Sequence, residues 1–152
     1  MDNFFMNKAL EEAKEAFNLN EVPIGAVIVK DGKIVGKGYN KKEMSLDSTN
    51  HAEMIAIKEA SKNLGRWRLT DCVMYVTVEP CPMCAGAIVN SRIKGLVIGT
   101  MDPKGGACGS LYNIVENDNL NHKLEVKRGV LEKESSDIMK KFFKKLREGE
   151  KL

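Results

Sequence analysis

Hydrophobic and polar residues alternate along the chain in blocks that predict helices and strands in turn. From residue 3 to 18, apolar side chains recur at helical spacing, which predicts an amphipathic helix. Apolar stretches at residues 24–29 and 33–39 flank Asp31-Gly32, and this dipeptide between apolar runs is a strong signal for a β-hairpin. The first 39 residues are therefore predicted to form a helix and two antiparallel strands.

The same alternation continues to the end of the chain. A polar loop from residue 40 leads to His51, and the periodicity after it predicts a helix that a polar residue at 47–50 would cap. Apolar runs at residues 73–78 and 96–99 predict buried strands on either side of a helix that opens at Cys81. A strand at residues 124–128 and a helix from about residue 135 to 148 complete the pattern.

Strand, helix and strand at this spacing imply a parallel crossover, so the chain is predicted to be of the α/β class. The predicted order of elements is α-β-β-α-β-α-β-α-β-α. At 152 residues the chain is within the size of one domain, and residues 1–152 are expected to form a single one.

Composition narrows the class of protein without identifying it. Hydrophobic residues make up 43% of the chain and charged residues 30%, as is ordinary for soluble globular proteins. No apolar run is long enough for a transmembrane helix, and the N-terminus lacks the features of a signal peptide. Two of the four cysteines belong to a metal-binding pattern, which favours a reducing compartment, so a cytoplasmic location and no membrane partner are expected.

Charge gives only a weak indication of a partner. The formal net charge is +3, too small by itself to indicate a nucleic-acid-binding protein. The last predicted helix is more basic than the rest, and a basic face can bind phosphates, although a charged run is more often a solvated surface. Its basic residues up to the C-terminus are Lys140, Lys141, Lys144, Lys145, Arg147 and Lys151.

Two short motifs carry the predicted chemistry: His51-Ala52-Glu53 and Pro80-Cys81-Pro82-Met83-Cys84. Together they offer one imidazole and two thiols, and a hydrolytic zinc site uses three protein ligands and leaves the fourth position for water. A closed structural site completed by Cys72, Cys108 or His122 is the alternative, but it would leave Glu53 without a role. The pattern therefore predicts a catalytic zinc site.

The placement of these ligands supports that interpretation. Both motifs are predicted to open helices, whose N-terminal N–H groups favour the thiolate form that a zinc ligand requires. With two thiolates the formal charge of the zinc centre is about zero, so it acidifies water less than a three-histidine site does. Glu53 can compensate by accepting the proton and returning it to a ring nitrogen and a leaving amine. The predicted reaction is hydrolytic deamination of an amidine-like carbon.

Two further features have open roles. The only tryptophan, Trp67, lies between two arginines and could stack on bases, but we interpret it as a partly buried structural residue. Residues 101–110 are rich in glycine and follow a strand end, which is typical of a mobile loop near a substrate.

Several segments together resemble the bacterial tRNA-specific adenosine deaminases, members of the zinc-dependent cytidine/deoxycytidylate deaminase superfamily. The similarity covers essentially the whole chain. It implies a cytidine deaminase-like three-layer α/β/α sandwich, with a five-stranded mixed sheet and helices on both faces. The segments are Gly38-Tyr39-Asn40, His51-Ala52-Glu53, residues 79–87, Ser91-Arg92-Ile93, residues 99–107, Asn121-His122 and Phe142-Phe143.

The resemblance assigns roles to individual residues. Three match the family's ligands for one zinc ion per subunit: His51, Cys81 and Cys84. Glu53 matches the proton shuttle. Three positions match contacts to the flipped base: Asn40 reads it, and Ile24 and Ala52 line its pocket. Asp102 and Lys104 match residues that hold anticodon nucleotides, and Phe143 matches a residue that lies against the RNA. Basic neighbours of Phe143 fit phosphate contact: Lys140, Lys144 and Arg147.

The reaction that the resemblance implies is conversion of adenosine to inosine at the wobble position of a tRNA anticodon, through a zinc-activated water and a glutamate proton shuttle. The implied partners are the anticodon stem-loop of a tRNA for arginine and a second copy of the chain in a homodimer. Two alternatives stay open: a deaminase of free guanine, and a non-catalytic zinc-containing RNA-binding subunit.

Overall fold

Five strands form one mixed sheet, in the order β2-β1-β3-β4-β5, in the computed structural model of the chain, which describes residues 1–149. Strand β1 pairs antiparallel with both β2 and β3, whereas β3, β4 and β5 run parallel. The elements are α1 Asp2–Asn18, β1 Gly25–Lys30, β2 Lys33–Tyr39, α2 Lys42–Ser45, α3 Ala52–Leu64, β3 Val73–Val78, α4 Pro82–Asn90, β4 Gly95–Thr100, β5 Glu125–Arg128 and α5 Glu132–Arg147.

The hairpin and the two buried parallel strands lie where the sequence predicts them. Lys30 pairs with Lys33 across the two-residue turn of the hairpin. Asp31 and Gly32 both have positive φ angles, 50° and 75°, as the turn that best matches the twist of two antiparallel strands requires.

Helices cover both faces of the sheet, which confirms the predicted three-layer α/β/α arrangement. One face packs against α3 and α4 through small residues such as Ala56 and Ala85, and this layer contains most of the hydrophobic core. The other face packs against α1 and α5, with Val27, Tyr75 and Val97 turned toward them. All strands except the edge strands β2 and β5 are therefore almost wholly buried.

The order of elements differs from the predicted one in two places. The predicted helix between the fourth and fifth strands is wrong for the described chain, because residues 101–124 form turns and an isolated bridge. Proline, glycine and asparagine are frequent in this stretch and disfavour a helix. In the predicted polar loop after residue 40, one helical turn, α2, is present because the buried carboxylate of Glu21 accepts hydrogen bonds from the backbone N–H groups of Glu43 and Met44.

One helix cap and one helix start differ from the prediction. Helix α3 begins at Ala52 with His51 in the N-cap position, which confirms that this motif opens a helix, but no side chain at residues 47–50 caps it. Asp47 is already used in its own turn, where it accepts hydrogen bonds from the N–H and hydroxyl of Thr49. Helix α5 begins at Glu132, earlier than residue 135, because Glu132 and Glu134 in its first turn complement the positive end of the helix dipole.

Trp67 is 56% exposed, so the expectation of a partly buried tryptophan is wrong. It lies two residues after Gly65, whose left-handed conformation ends α3, and the guanidinium of Arg68 lies 4.6 Å from its ring centroid. None of the helices within residues 1–149 is long and apolar enough to cross a membrane.

Strand β2 approaches α3 closely at Gly36, and we predict that Gly36→Ala destabilises the fold. An added Cβ would overlap the carbonyl of Ala56 and lie 2.7 Å from the backbone nitrogen of Ala60, and backbone atoms cannot move aside. Overpacking of this kind costs about 2–3 kcal/mol, which urea denaturation would measure.

Gly95→Ala is the matched control for this substitution, because its Cβ would make ordinary contacts at 3.5 Å with Glu125 and Val73. We expect its free energy of unfolding to change by less than about 1 kcal/mol. Equal losses in the two variants would contradict the close approach as the cause.

Candidate active site

A cavity of about 700 Å³ opens at the edge of the sheet where β3 and β4 end and β1 begins. Its lining comes from two separate parts of the structure. One wall is formed by the starts of α3 and α4 and carries His51, Glu53 and Cys81. The facing wall is formed by the loop after β4 and by α5.

The three predicted metal ligands lie together. His51 and Cys81 occupy the N-cap positions of α3 and α4, and Cys84 lies in the first turn of α4. The Nδ1 atom of His51 is 3.7 Å from the sulfur of Cys81 and 3.5 Å from that of Cys84. Ligands on a tetrahedral zinc at about 2.3 Å (S) and 2.0 Å (N) would be separated by about 3.6 Å, so this arrangement fits the ion.

The pKa values of the two thiols are shifted in opposite directions, because the thiols share a hydrogen bond. Donation from Cys84 lowers the pKa of Cys81 to about 4, and the same hydrogen bond together with burial raises the pKa of Cys84. The pair therefore holds one proton and one negative charge, which is an attractive site for a cation. Binding of a metal ion would release the remaining proton, since both ligands must be thiolates.

No fourth protein ligand completes the group within residues 1–149, where His51, Cys81 and Cys84 are the only such cluster. Cys72 and Cys108 are buried elsewhere, and burial raises the pKa values of their thiols to about 11 and about 12. The Nε2 atom of His122 lies 2.6 Å from the carbonyl oxygen of Ile93. The closed structural site considered above is thus not formed by these residues.

Glu53 lies in the first turn of α3 and lines the cavity beside the metal-binding group without belonging to it. Only 4% of the residue is exposed. Burial raises the pKa of this carboxyl to about 7, so that either protonation state is accessible near neutral pH. A carboxyl group in this state is suited to accept a proton and to give it back.

Most of the predicted substrate residues line the same cavity: Ile24, Asn40, Ala52, Asp102, Lys104, Lys140, Phe143 and Arg147. Lys144 does not line it, and its ammonium lies 3.9 Å from the carboxylate of Glu148 on an exposed part of α5. The side chain of Asn40 is held at the cavity wall by the carbonyl of Val22, at 3.4 Å, and by the N–H of Lys42, at 3.2 Å. Lys151 lies outside the described residues.

Comparison with known proteins agrees with this site. The family described as MafB19-like deaminase matches residues 1–147. A tRNA-specific adenosine deaminase of Bacillus subtilis is 48% identical over 150 residues, which cover 99% of this chain and 93% of the relative. The chain belongs to the tRNA-specific adenosine deaminase family. It is therefore a deaminase, an enzyme of the hydrolase class.

This deaminase has the same fold as solved structures of other deaminases. One from work on A-to-I editing by tRNA:A34 deaminases at the wobble position of transfer RNA has a TM-score of 0.85 and 43% identity, and the match covers 89% of this chain and 98% of the other. A guanine deaminase from Bacillus subtilis is 44% identical with a TM-score of 0.62, but the match covers only 64% of this chain and 63% of the other. The resemblance to the first structure extends over more of the chain.

Several residues that line the cavity of this deaminase have no individual role among the sequence predictions. Thr100 and Met101 lie in the segment 99–107 that carries the family resemblance, whereas no sequence signal marks Val22 or Lys42. Glu79 is different, because a carboxylate at the end of a buried strand must find hydrogen-bond partners. The sequence therefore indicates that Glu79 has hydrogen-bond partners, although it does not show which groups they are.

Proposed function

We propose that this deaminase converts adenosine to inosine at the wobble position of a tRNA anticodon, with a tRNA for arginine as its first substrate. The observation that carries the proposal is the 48% identity, over 99% of the chain, to a tRNA-specific adenosine deaminase. The cavity supports it, since it combines a metal-binding group and a buried carboxyl with basic side chains on the facing wall.

The metal of the proposed site is zinc, held by His51, Cys81 and Cys84, one ion per chain. One imidazole and two thiolates form a donor set that zinc prefers over magnesium or calcium, which take oxygen ligands. When bound, zinc would supply a Lewis acid that makes a water molecule acidic enough to react near neutral pH.

Glu53 is the proposed proton carrier of the reaction. Its carboxylate takes one proton of the attacking water and delivers it to N1 of the purine as the water oxygen bonds to C6. It then takes the remaining hydroxyl proton and gives it to the C6 amine, so that the C–N bond breaks and ammonia leaves. Glu53 lies next to the ligands but outside their group, so its carboxyl is not consumed in holding the metal. The 4% exposure of the residue keeps competing solvent away from the carboxyl.

Three residues on the α3 side of the cavity are proposed to hold the base: Asn40 by hydrogen bonds, and Ile24 and Ala52 by apolar contact. A base can reach this depth only after it leaves its stack, which costs on the order of a few kcal/mol and least in a single-stranded loop. An anticodon loop is therefore a suitable substrate. Asp102, Lys104 and Phe143 on the facing wall are proposed to hold the flanking nucleotides.

Lys140 and Arg147 are proposed to contact phosphates, because both line the cavity on the basic helix α5. We predict that Lys140→Gln weakens binding of an anticodon stem-loop by about 3- to 10-fold at low salt. The slope of log Kd against log salt concentration should fall by about 0.7, the value for one phosphate contact in a single strand. Fluorescence anisotropy across a salt series measures both quantities.

Lys133→Gln provides a control with the same charge change on the same helix. Lys133 does not line the cavity, and its ammonium is paired with Asp137 at 2.7 Å. The affinity of the Lys133→Gln protein for the stem-loop, and its slope of log Kd against log salt concentration, should match those of the unmodified protein. Identical slopes in all three proteins would argue against a phosphate contact at Lys140.

The proposed function is tested by incubating the metal-loaded protein with an unmodified stem-loop of a tRNA for arginine that carries adenosine at the wobble position, followed by sequencing for inosine. Ammonia release from free guanine and cytidine is measured in parallel. Inosine at that adenosine alone supports the proposal. Ammonia from guanine without inosine would favour guanine deamination, which the 44% identity to a guanine deaminase makes the second candidate. Turnover of none of the three would favour the non-catalytic RNA-binding subunit.

We further propose that the chain forms a homodimer, as the resemblance implies. Large apolar side chains at the surface are in keeping with a subunit interface, and Leu111 and Tyr112, close in sequence to the cavity loop, are 54% and 60% exposed. Size-exclusion chromatography with light scattering at micromolar concentration should give the mass of two chains, and a monomer peak would count against the dimer.

A further inference from the structure

Glu79 lies at the end of β3, two residues before Cys81, and only 3% of it is exposed. Its carboxylate accepts four hydrogen bonds, all from one loop. Oε1 accepts from the N–H of Asp102 at 2.9 Å and from the hydroxyl of Ser110. Oε2 accepts from the N–H groups of Cys108 and Ser110, each at 2.9 Å.

This loop, residues 102–110, carries Asp102 and Lys104 at the cavity wall. The loop has further attachments: the N–H of Ala107 donates to the carbonyl of Pro80 at 2.8 Å, the guanidinium of Arg128 donates to the carbonyl of Cys108 at 2.7 Å, and Ala107 and Cys108 are buried in the core. The loop passes so close to Glu79 that a Cβ on Gly106 would overlap the carboxylate. Glu79 therefore accepts most of the hydrogen bonds that join the loop on one wall of the cavity to the segment holding a metal ligand on the other.

The same contacts limit what else Glu79 can do. A carboxylate has about four acceptor positions, and all four are used by the loop. No acceptor position remains for a substrate group or a transferred proton. Glu79 also does not belong to the cluster that could hold a metal ion within the described part of the chain.

We infer that Glu79 is a positioning residue for substrate binding, which holds the loop 102–110 in place so that Asp102 and Lys104 face the nucleotides of the substrate. This inference rests on the proposed function, because it is the RNA substrate that the loop is positioned to contact. Loss of the anchor should therefore weaken substrate binding much more than the chemical step.

Glu79→Gln is the first test, because the amide keeps the shape of the side chain but offers one acceptor oxygen and turns an NH₂ group toward N–H donors. We expect KM for the anticodon stem-loop to rise about 10-fold, kcat to change less than about 3-fold, and metal content to stay at one ion per chain. Amide hydrogen exchange at residues 102–110 should be at least about 10-fold faster. Ser110→Ala, which removes one of the four donors, should raise KM about 3-fold.

Asp118→Asn is the control for a change of carboxylate to amide, since Asp118 is an exposed residue paired with Lys123 and does not line the cavity. Its KM, kcat and exchange rates should equal those of the unmodified protein. A second test uses Gly106→Ala, which should raise KM about 10-fold alone. In the Glu79→Ala background the same substitution should add less than about 2-fold, because the group that it would overlap is gone.

The measurements separate failure of this inference from failure of the proposed function. Unchanged exchange at residues 102–110 in Glu79→Gln overturns the anchor, whether or not the unmodified protein forms inosine. Faster exchange with unchanged KM in an active enzyme overturns the link to substrate binding. Equal falls in kcat and metal content would assign Glu79 to support of the metal site instead. If the unmodified protein forms no inosine, the proposed function fails and with it the link to RNA.

Discussion

Glu53→Gln is expected to lower single-turnover formation of inosine by about 10³- to 10⁴-fold while metal content stays at one ion per chain. Glutamine fills the same space beside His51 and Cys84 but cannot take up a proton and release it. General acid–base catalysis contributes about 10²- to 10⁴-fold per proton transfer, and Glu53 is proposed to carry more than one. Quenched-flow assays with sequencing, together with elemental analysis of the same sample, measure both quantities.

We expect little loss of stability in this variant, because the amide keeps the shape of the side chain and burial, the main cause of the raised pKa of Glu53, already disfavours the charged carboxylate. Glu59→Gln is the matched control on the same helix. Glu59 accepts a hydrogen bond from the N–H of Lys37 at 3.3 Å and does not line the cavity. Full turnover by a metal-loaded Glu53→Gln protein would remove Glu53 from the proposed mechanism.

Cys84→Ala should abolish both metal binding and deamination. Cys84 is fully buried, and it and His51 contribute donor atoms 3.5 Å apart, so its loss leaves only two of the three ligands. We expect zinc affinity to fall by well over 100-fold, since even loss of an outer hydrogen-bond partner of a ligand costs about 10- to 100-fold. Metal titration against a chromophoric chelator and the inosine assay check these outcomes.

The melting temperature of Cys84→Ala should then be independent of added zinc, whereas that of the unmodified protein should rise with it. Cys72→Ala serves as the control, because Cys72 is equally buried but lies outside the ligand group. It should keep one ion per chain and lose about 1 kcal/mol of stability from the small cavity. A Cys84→Ala protein that retained a full equivalent of metal would show that the ion is held elsewhere.

The parts of the fold that were predictable from sequence are those determined by local signals. Asp31-Gly32 specifies a tight turn through its positive φ angles. The apolar run at residues 73–78 is suited only to a strand that is buried on both faces, in the middle of a sheet. The cap of α3 was not predictable, because Asp47 can cap either a helix or its own turn, and only the surrounding structure decides between them.

The site likewise contains residues that a local pattern predicts and residues whose roles depend on distant parts of the chain. His51, Cys81 and Cys84 were found because metal ligation restricts both residue type and spacing. The role of Glu79 depends on groups that are 23 to 31 residues away in sequence, and no local pattern encodes which of them will donate to it. Lys144 illustrates the opposite case, since position on a basic helix does not determine which side chains reach the cavity.

The two walls of the cavity come from separate parts of the chain. The helix starts that hold the metal-binding group are packed into the largest part of the core through Ala52 and Ala85, whereas Asp102, Lys104 and the cavity-lining side chains of α5 lie outside that cluster. Sequence changes confined to the second wall can thus accumulate over evolution without disturbing the first. A scaffold of this kind allows descendants to exchange one nucleobase-containing substrate for another while the hydrolytic chemistry is inherited intact.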